Sequence, residues 1–103
     1  MIEIIIHLDK EIVTSFLIRG HACYDVKGKD LVCAGVSAIV FGAINNLKNV
    51  AKYVKVDKDQ ISFETSKEIP YHDQIVLETL MISLKMMNEN YPRNVSMKVI
   101  RKE

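Results

Sequence analysis

The chain reads as an α+β protein, a two-layer sandwich of a mainly antiparallel sheet and two helices in the order β-β-α-β-β-α-β. Three observations lead there. Two pairs of short β-branched segments are each broken by a few polar residues, two longer stretches show helical apolar spacing, and a last alternating segment follows Asn90-Tyr91-Pro92. Strands grouped into hairpins, rather than alternating one by one with helices, argue for both helices lying on one face of the sheet. The pattern leaves strand order open.

Residues 1–7, Met1-Ile2-Glu3-Ile4-Ile5-Ile6-His7, and residues 11–19 are apolar and β-branched and predict a hairpin across Leu8-Asp9-Lys10. The second strand ends at Gly20. Cys23 to Lys29 is polar, contains Gly28 and has no period, which predicts an exposed, mobile loop able to admit a substrate. Asp30 is an N-cap candidate, and Leu31, Val32, Val36, Ile39, Val40, Ala43, Ile44 and Leu47 supply a broad apolar surface to the first helix. Residues 52–57 and 60–65 predict a second hairpin across Lys58-Asp59. After Ile69-Pro70, Ile75, Leu77, Leu80, Met81, Leu84 and Met87 recur at helical spacing within residues 71–90. Pro92 stops that helix, and Val95-Ser96-Met97-Lys98-Val99-Ile100 alternates as the last strand.

Composition narrows the function classes. A length of 103 residues predicts one domain over 1–103, with 49% hydrophobic and 26% charged residues as in ordinary globular proteins. The net charge of +1, with signs alternating along the chain, argues against direct nucleic-acid binding. No 18-residue apolar run is present and Glu3 interrupts the N-terminus, so neither a membrane partner nor a signal peptide is expected. The expected location is cytoplasmic, where the two cysteines stay reduced.

The chemistry is concentrated in Gly20-His21-Ala22 and in Asp30-Leu31-Val32-Cys33-Ala34-Gly35-Val36-Ser37-Ala38. They place an imidazole where a strand finishes and a thiol at the third position of a helix. Peptide dipoles and unpaired N–H groups in a first helical turn favour the reactive thiolate. Asp30 acts against this through its own charge, unless that charge is engaged in capping or in orienting His21; the sequence leaves the sign open. Asp30, Cys33 and Ser37 share one helical stripe at i, i+3 and i+7. Ser37 is either a donor to the sulfur, the imidazole or a substrate carbonyl, or a small residue that permits close packing. The residues alone also allow a plainer interpretation, with Cys33 a small core side chain and His21 a loop residue.

These two segments, with the intervening loop and Gly28, resemble the ribosomal-processing cysteine protease family, Prp, of Firmicutes and related bacteria. The resemblance extends over nearly the whole chain. It implies a Cys/His dyad in which His21 is the base and Cys33 the nucleophile, with Asp30 and Ser37 orienting them. It implies an enzyme that removes the N-terminal extension of a large-subunit ribosomal protein, number twenty-seven, after an aromatic-rich motif, in support of ribosome assembly. Acyl transfer through an acyl-enzyme needs no metal or cofactor, and the backbone N–H groups of Cys33 and Ala34 are expected oxyanion donors. The resemblance also implies a homodimer. Cys23 departs from the family pattern and the mechanism does not require it.

Two other classes stay open. A thiol redox or metal protein would use His21, Cys23 and Cys33, which offer only three ligands. A non-enzymatic, ribosome-associated module would bind a peptide without cleaving it. His7 and His72 are expected to be structural, and Met81, Met86 and Met87 to fill the core or a dimer contact.

Overall fold

The computed structural model describes residues 1–102. The elements follow the expected order: β1 (Ile2–Asp9), β2 (Ile12–Gly20), α1 (Leu31–Asn46), β3 (Val54–Val56), β4 (Gln60–Glu64), α2 (Tyr71–Asn90) and β5 (Val95–Arg101). They form one five-stranded sheet in the order β3-β4-β2-β1-β5. Three neighbouring pairs are antiparallel, and β5 runs parallel to β1, so the sheet is mixed although mainly antiparallel.

Alternation decides which face of the sheet is covered. In β1, Ile2, Ile4, Ile6 and Leu8 are buried, while Glu3 and His7 on the other face are exposed. The same side of β2 contributes Phe16 and Ile18, paired with Ile6 and Ile4, and Phe16 stacks on Phe63 of β4 with ring centroids 5.4 Å apart. Val32, Val36 and Val40 of α1 and Val76, Leu77, Leu80 and Leu84 of α2 complete this one core. Each fully buried aliphatic side chain here contributes about 1.5–3 kcal/mol relative to exposure. Gly35 lets α2 approach α1, since a Cβ at that position would sit 3.2 Å from Cε of Met87.

Several sequence expectations need correction. Leu8 and Asp9 belong to β1, and the turn is only Lys10-Glu11, both at positive φ (51° and 64°). A two-residue turn with both centres in the left-handed region matches the twist of the flanking strands. Residues 52 and 53 lie in a 3₁₀ turn, Ala51–Tyr53, which leaves β3 three residues long. Leu31 does not join the apolar surface of α1; at the first helical position it is 73% exposed.

Asp73, a charged residue in the first turn of α2, is fully buried. Its carboxylate accepts the N–H groups of Lys48, Asn49 and Val50 at 3.0, 2.7 and 2.9 Å. The segment leaving α1 is thereby fixed to the first turn of α2. Burial pushes this carboxyl up, but the three backbone donors, helped by the nearby His72, hold it below the ordinary carboxylate range.

Candidate active site

The site begins at the end of β2. Gly20 has φ of +90°, and a Cβ there would run into the carbonyl oxygen of Met1, so no other residue fits without displacing the backbone. Its N–H donates to the carbonyl of Asp59 at 3.3 Å, which draws the β3–β4 turn alongside. The chain then presents His21 to solvent and turns Ala22 into the core, where it is 1% exposed.

Across from this turn α1 begins at Asp30, whose Oδ1 accepts the Cys33 N–H at 2.9 Å as an N-cap. Its second oxygen, Oδ2, accepts the N–H groups of Tyr24 and Asp25 at 3.0 and 3.4 Å. The Cys33 N–H is the chief cause holding the Asp30 carboxyl below its usual range; partial desolvation opposes it, and the loop N–H groups and the thiol add to it. Asp30 is therefore engaged in capping the helix and gathering the loop, and its carboxylate also meets the thiol. The loop is also anchored by Tyr24, whose ring meets Tyr91 edge-on at 5.6 Å.

Cys33 is half-buried, and its Sγ accepts the backbone N–H of Ala22 at 3.2 Å. A cleft of about 830 Å³ opens beside it, lined by His21, Cys23, Asp30, Cys33, Ala34 and Ser37 among others, with Lys58 and Asp59 on the far side. A smaller concavity of about 230 Å³ continues past His21, Cys33 and Ser37 towards Phe41, Val56 and Ile61. A groove of about 710 Å³ at the opposite end of the sheet, near His7 and Lys10, contains neither cysteine and not His21.

The structure thus brings His21, Asp30, Cys33 and Ser37 to one cleft. His21 and Cys33 line it without a hydrogen bond between them among the described residues, and such bonds in substrate-free sites are often long and tighten only on binding. The expected oxyanion donors are already engaged in this conformation. The Cys33 N–H is held by Asp30 Oδ1, and the Ala34 N–H donates to the Asp30 carbonyl at 3.1 Å. In the first turn it is the N–H groups of Leu31 and Val32 that lack a side-chain or loop acceptor among the described residues.

The remaining histidines lie elsewhere. His7 Nδ1 is 2.9 Å from Ser15 Oγ on the uncovered sheet face, and His72 Nε2 donates to the Asn46 carbonyl at 3.0 Å. Met81 and Met87 pack against the core, whereas Met86 is 56% exposed. Among the described residues no group of three or more histidine, cysteine, aspartate or glutamate side chains is placed to hold a metal ion, so His21, Cys23 and Cys33 do not converge as a ligand set. No helix among them is long and apolar enough to cross a membrane. Sequence reasoning missed Ala22 as a donor to the sulfur, and it missed Asn94, whose Nδ2 donates to the Ala22 carbonyl at 3.0 Å from 72 positions away. No local pattern announces a contact at that separation.

A thiol in the first turn of a helix and an imidazole on the wall of the same cleft are the side-chain set of a thiol-dependent peptidase. Residues 1–96 match the family described as cysteine protease Prp. The chain is 34% identical over 92 residues to the ribosomal processing cysteine protease Prp of Bacillus subtilis (strain 168), covering 81% of this chain and 82% of that protein. It is 32% identical over 92 residues to the protein of the same name from Staphylococcus aureus (strain Mu50), covering 84% and 87%. Its fold is similar to a crystal structure of the essential ribosomal processing protease Prp from S. aureus in complex with a covalently linked product peptide, with a TM-score of 0.84 and 28% identity over 99% of this chain and 100% of that one. A structure of the S. aureus protease with a substrate peptide is similar too, with a TM-score of 0.75 and 26% identity over 96% and 99%. The chain belongs to the cysteine protease Prp family and is a cysteine protease.

Proposed function

We propose that the protein is an endopeptidase that removes the N-terminal extension of a large-subunit ribosomal protein, number twenty-seven, with Cys33 as nucleophile and His21 as base. The observation that carries this reading is the placement of Cys33 Sγ, at the start of α1, on the same 830 Å³ cleft as the His21 imidazole. The relatives' names supply the substrate class: they are ribosomal processing proteases. Asp30 and Ser37 orient the pair, the first through the loop and helix start it binds together, the second from one turn further along α1.

The reaction proceeds by acyl transfer. His21 takes the proton from the Cys33 thiol, and the sulfur attacks the scissile carbonyl carbon to give a tetrahedral oxyanion. The C–N bond then breaks as the imidazolium returns its proton to the leaving amine, leaving the N-terminal fragment as a thioester on Cys33. Water, deprotonated by His21, attacks the thioester carbonyl, and the fragment leaves as a carboxylic acid with the thiol restored. Leu31 and Val32 at the open helix end are candidates to donate to the oxyanion, ahead of the engaged N–H groups of Cys33 and Ala34. The protein acts in the cytoplasm as a homodimer, binding the protein substrate and not RNA, without metal or cofactor.

The test is incubation of wild type, Cys33→Ala and His21→Ala with the N-terminally extended ribosomal protein, followed by intact mass. The reading predicts loss of an N-terminal fragment with wild type and none with either variant, both variants melting as wild type does. Cleavage by Cys33→Ala at the wild-type rate contradicts it. Binding of the extension without cleavage by folded, reduced wild type would favour a peptide-binding module.

A further inference from the structure

Ala22 separates the exposed His21 from the exposed loop that follows, yet it is itself buried, and its peptide groups are engaged on both sides. Its N–H donates to Cys33 Sγ at 3.2 Å and its carbonyl accepts Asn94 Nδ2 at 3.0 Å. Asn94 is held in turn by two backbone bonds that do not involve its side chain. Its N–H donates to the Tyr91 carbonyl at 3.0 Å, and its carbonyl accepts the Ile2 N–H at 2.8 Å. A continuous path of hydrogen bonds thus runs from the start of β1, through the carboxamide of Asn94 and the backbone of Ala22, to the sulfur.

The Cys33 and Ala34 N–H groups are bound by Asp30, which leaves Ala22 as the backbone donor that meets the sulfur; the titratable groups that face it are the Asp30 carboxylate, which the thiol meets, and His21 on the same cleft, and neither is altered in the test below. An N–H donor binds an anionic acceptor more strongly than a neutral one, so a donor fixed on the sulfur favours the thiolate. The donor is effective only while the Ala22 backbone is fixed, because that residue adjoins a loop of exposed residues and is followed directly by Cys23 at a φ of +55°. We propose that Asn94 is a positioning residue that holds the Ala22 backbone so that its N–H stays on Cys33 Sγ and stabilises the thiolate. This rests on the reading of Cys33 as the nucleophile.

The test uses the resting protein in a Cys23→Ser background, where Cys33 is the sole thiol. Iodoacetamide alkylation is followed by intact mass across a pH series for this parent and for Asn94→Ala and Asn94→Asp. Asp keeps the size of Asn but turns an anionic acceptor towards the Ala22 carbonyl. Because both backbone bonds of Asn94 survive either change, the variants should fold, as judged by circular dichroism and melting. The expected result is alkylation about tenfold slower at pH 7, the profile displaced to higher pH and the same limiting rate at high pH. A structural role alone would alter melting or the limiting rate without displacing the profile.

An undisplaced profile in a folded variant overturns the proposal. The parent gives an independent check should a variant not fold: the Ala22 amide proton resonance should titrate with the same midpoint as Cys33 alkylation, and an amide that ignores it overturns the proposal. Neither readout needs a substrate. A wrong substrate assignment would therefore show as absent cleavage beside an intact alkylation result.

Discussion

Asp30 and Asp73 perform the same chemistry in two different settings. Each carboxylate accepts three backbone N–H groups: Asp30 those of Cys33, Tyr24 and Asp25, and Asp73 those of Lys48, Asn49 and Val50. Asp30 stands at the rim of the cleft, where water can replace any donor it loses. Asp73 has no exposed surface, and of its three bonds the one from Val50 is fully buried while those from Lys48 and Asn49 are partly so. The same device therefore makes a releasable clasp at the site and a permanent joint between the helices.

The largest expected effect comes from breaking the joint. Asp73→Ala removes the acceptor of three N–H groups, one of them fully buried, at about 1 kcal/mol each, so a loss of about 3 kcal/mol is expected. In a domain of this length that lowers Tm by more than about 10 °C, measured by thermal melting. A change within about 2 °C would mean that Asp73 is no joint at all.

Acid sharpens the same contrast. The Asp73 carboxyl is held below its unfolded value, so its contribution is fully present above the ordinary carboxylate range, about pH 4, and is lost as pH falls through the lowered folded value. Asp73→Asn should remove that part of the acid dependence while being less stable than wild type at neutral pH. Urea midpoints at pH 7 and at about pH 3 decide this, because the gap between wild type and variant should narrow on acidification.

Asp30→Ala should leave the melting temperature far closer to wild type than Asp73→Ala does. Its effect should be local, with faster amide exchange at Tyr24, Asp25 and Cys33 and slower substrate cleavage. Equal loss of protection across β1 and α2 would show that Asp30, too, is a global joint. The smallest effect is expected from Ser37→Ala, an exposed position with no hydrogen bond among the described residues: stability should stay within about 0.5 kcal/mol. Any change in cleavage by that folded variant then reports orientation at the site.

The sequence was most legible where chemistry is local. Asp30 three residues before Cys33 reads as a cap because an N-cap bond spans that interval, and β1 reads as a strand because its residues are apolar and β-branched. Contacts between distant segments left no such trace. The parallel pairing of β5 with β1 depends on how α2 packs, and Asn94 meets Ala22 only once β5 is in place. Nothing near Asp73 in the sequence marks its burial, because its three donors lie at least 23 positions away. The competition for the expected oxyanion donors has the opposite, local origin: the Asp30 cap occupies the Cys33 N–H in this conformation, and the helix's own first bond occupies that of Ala34.

Whether peptide cleavage runs through a thioester on Cys33 formed with the help of His21 is decided by rapid acid quench during turnover of a substrate peptide, with digestion and mass mapping of both cysteines. The N-terminal fragment should be attached to Cys33 in wild type, absent from Cys23, and absent altogether in His21→Ala. Cleavage with the fragment on Cys23, or a thioester on Cys33 undiminished by His21→Ala, would contradict it.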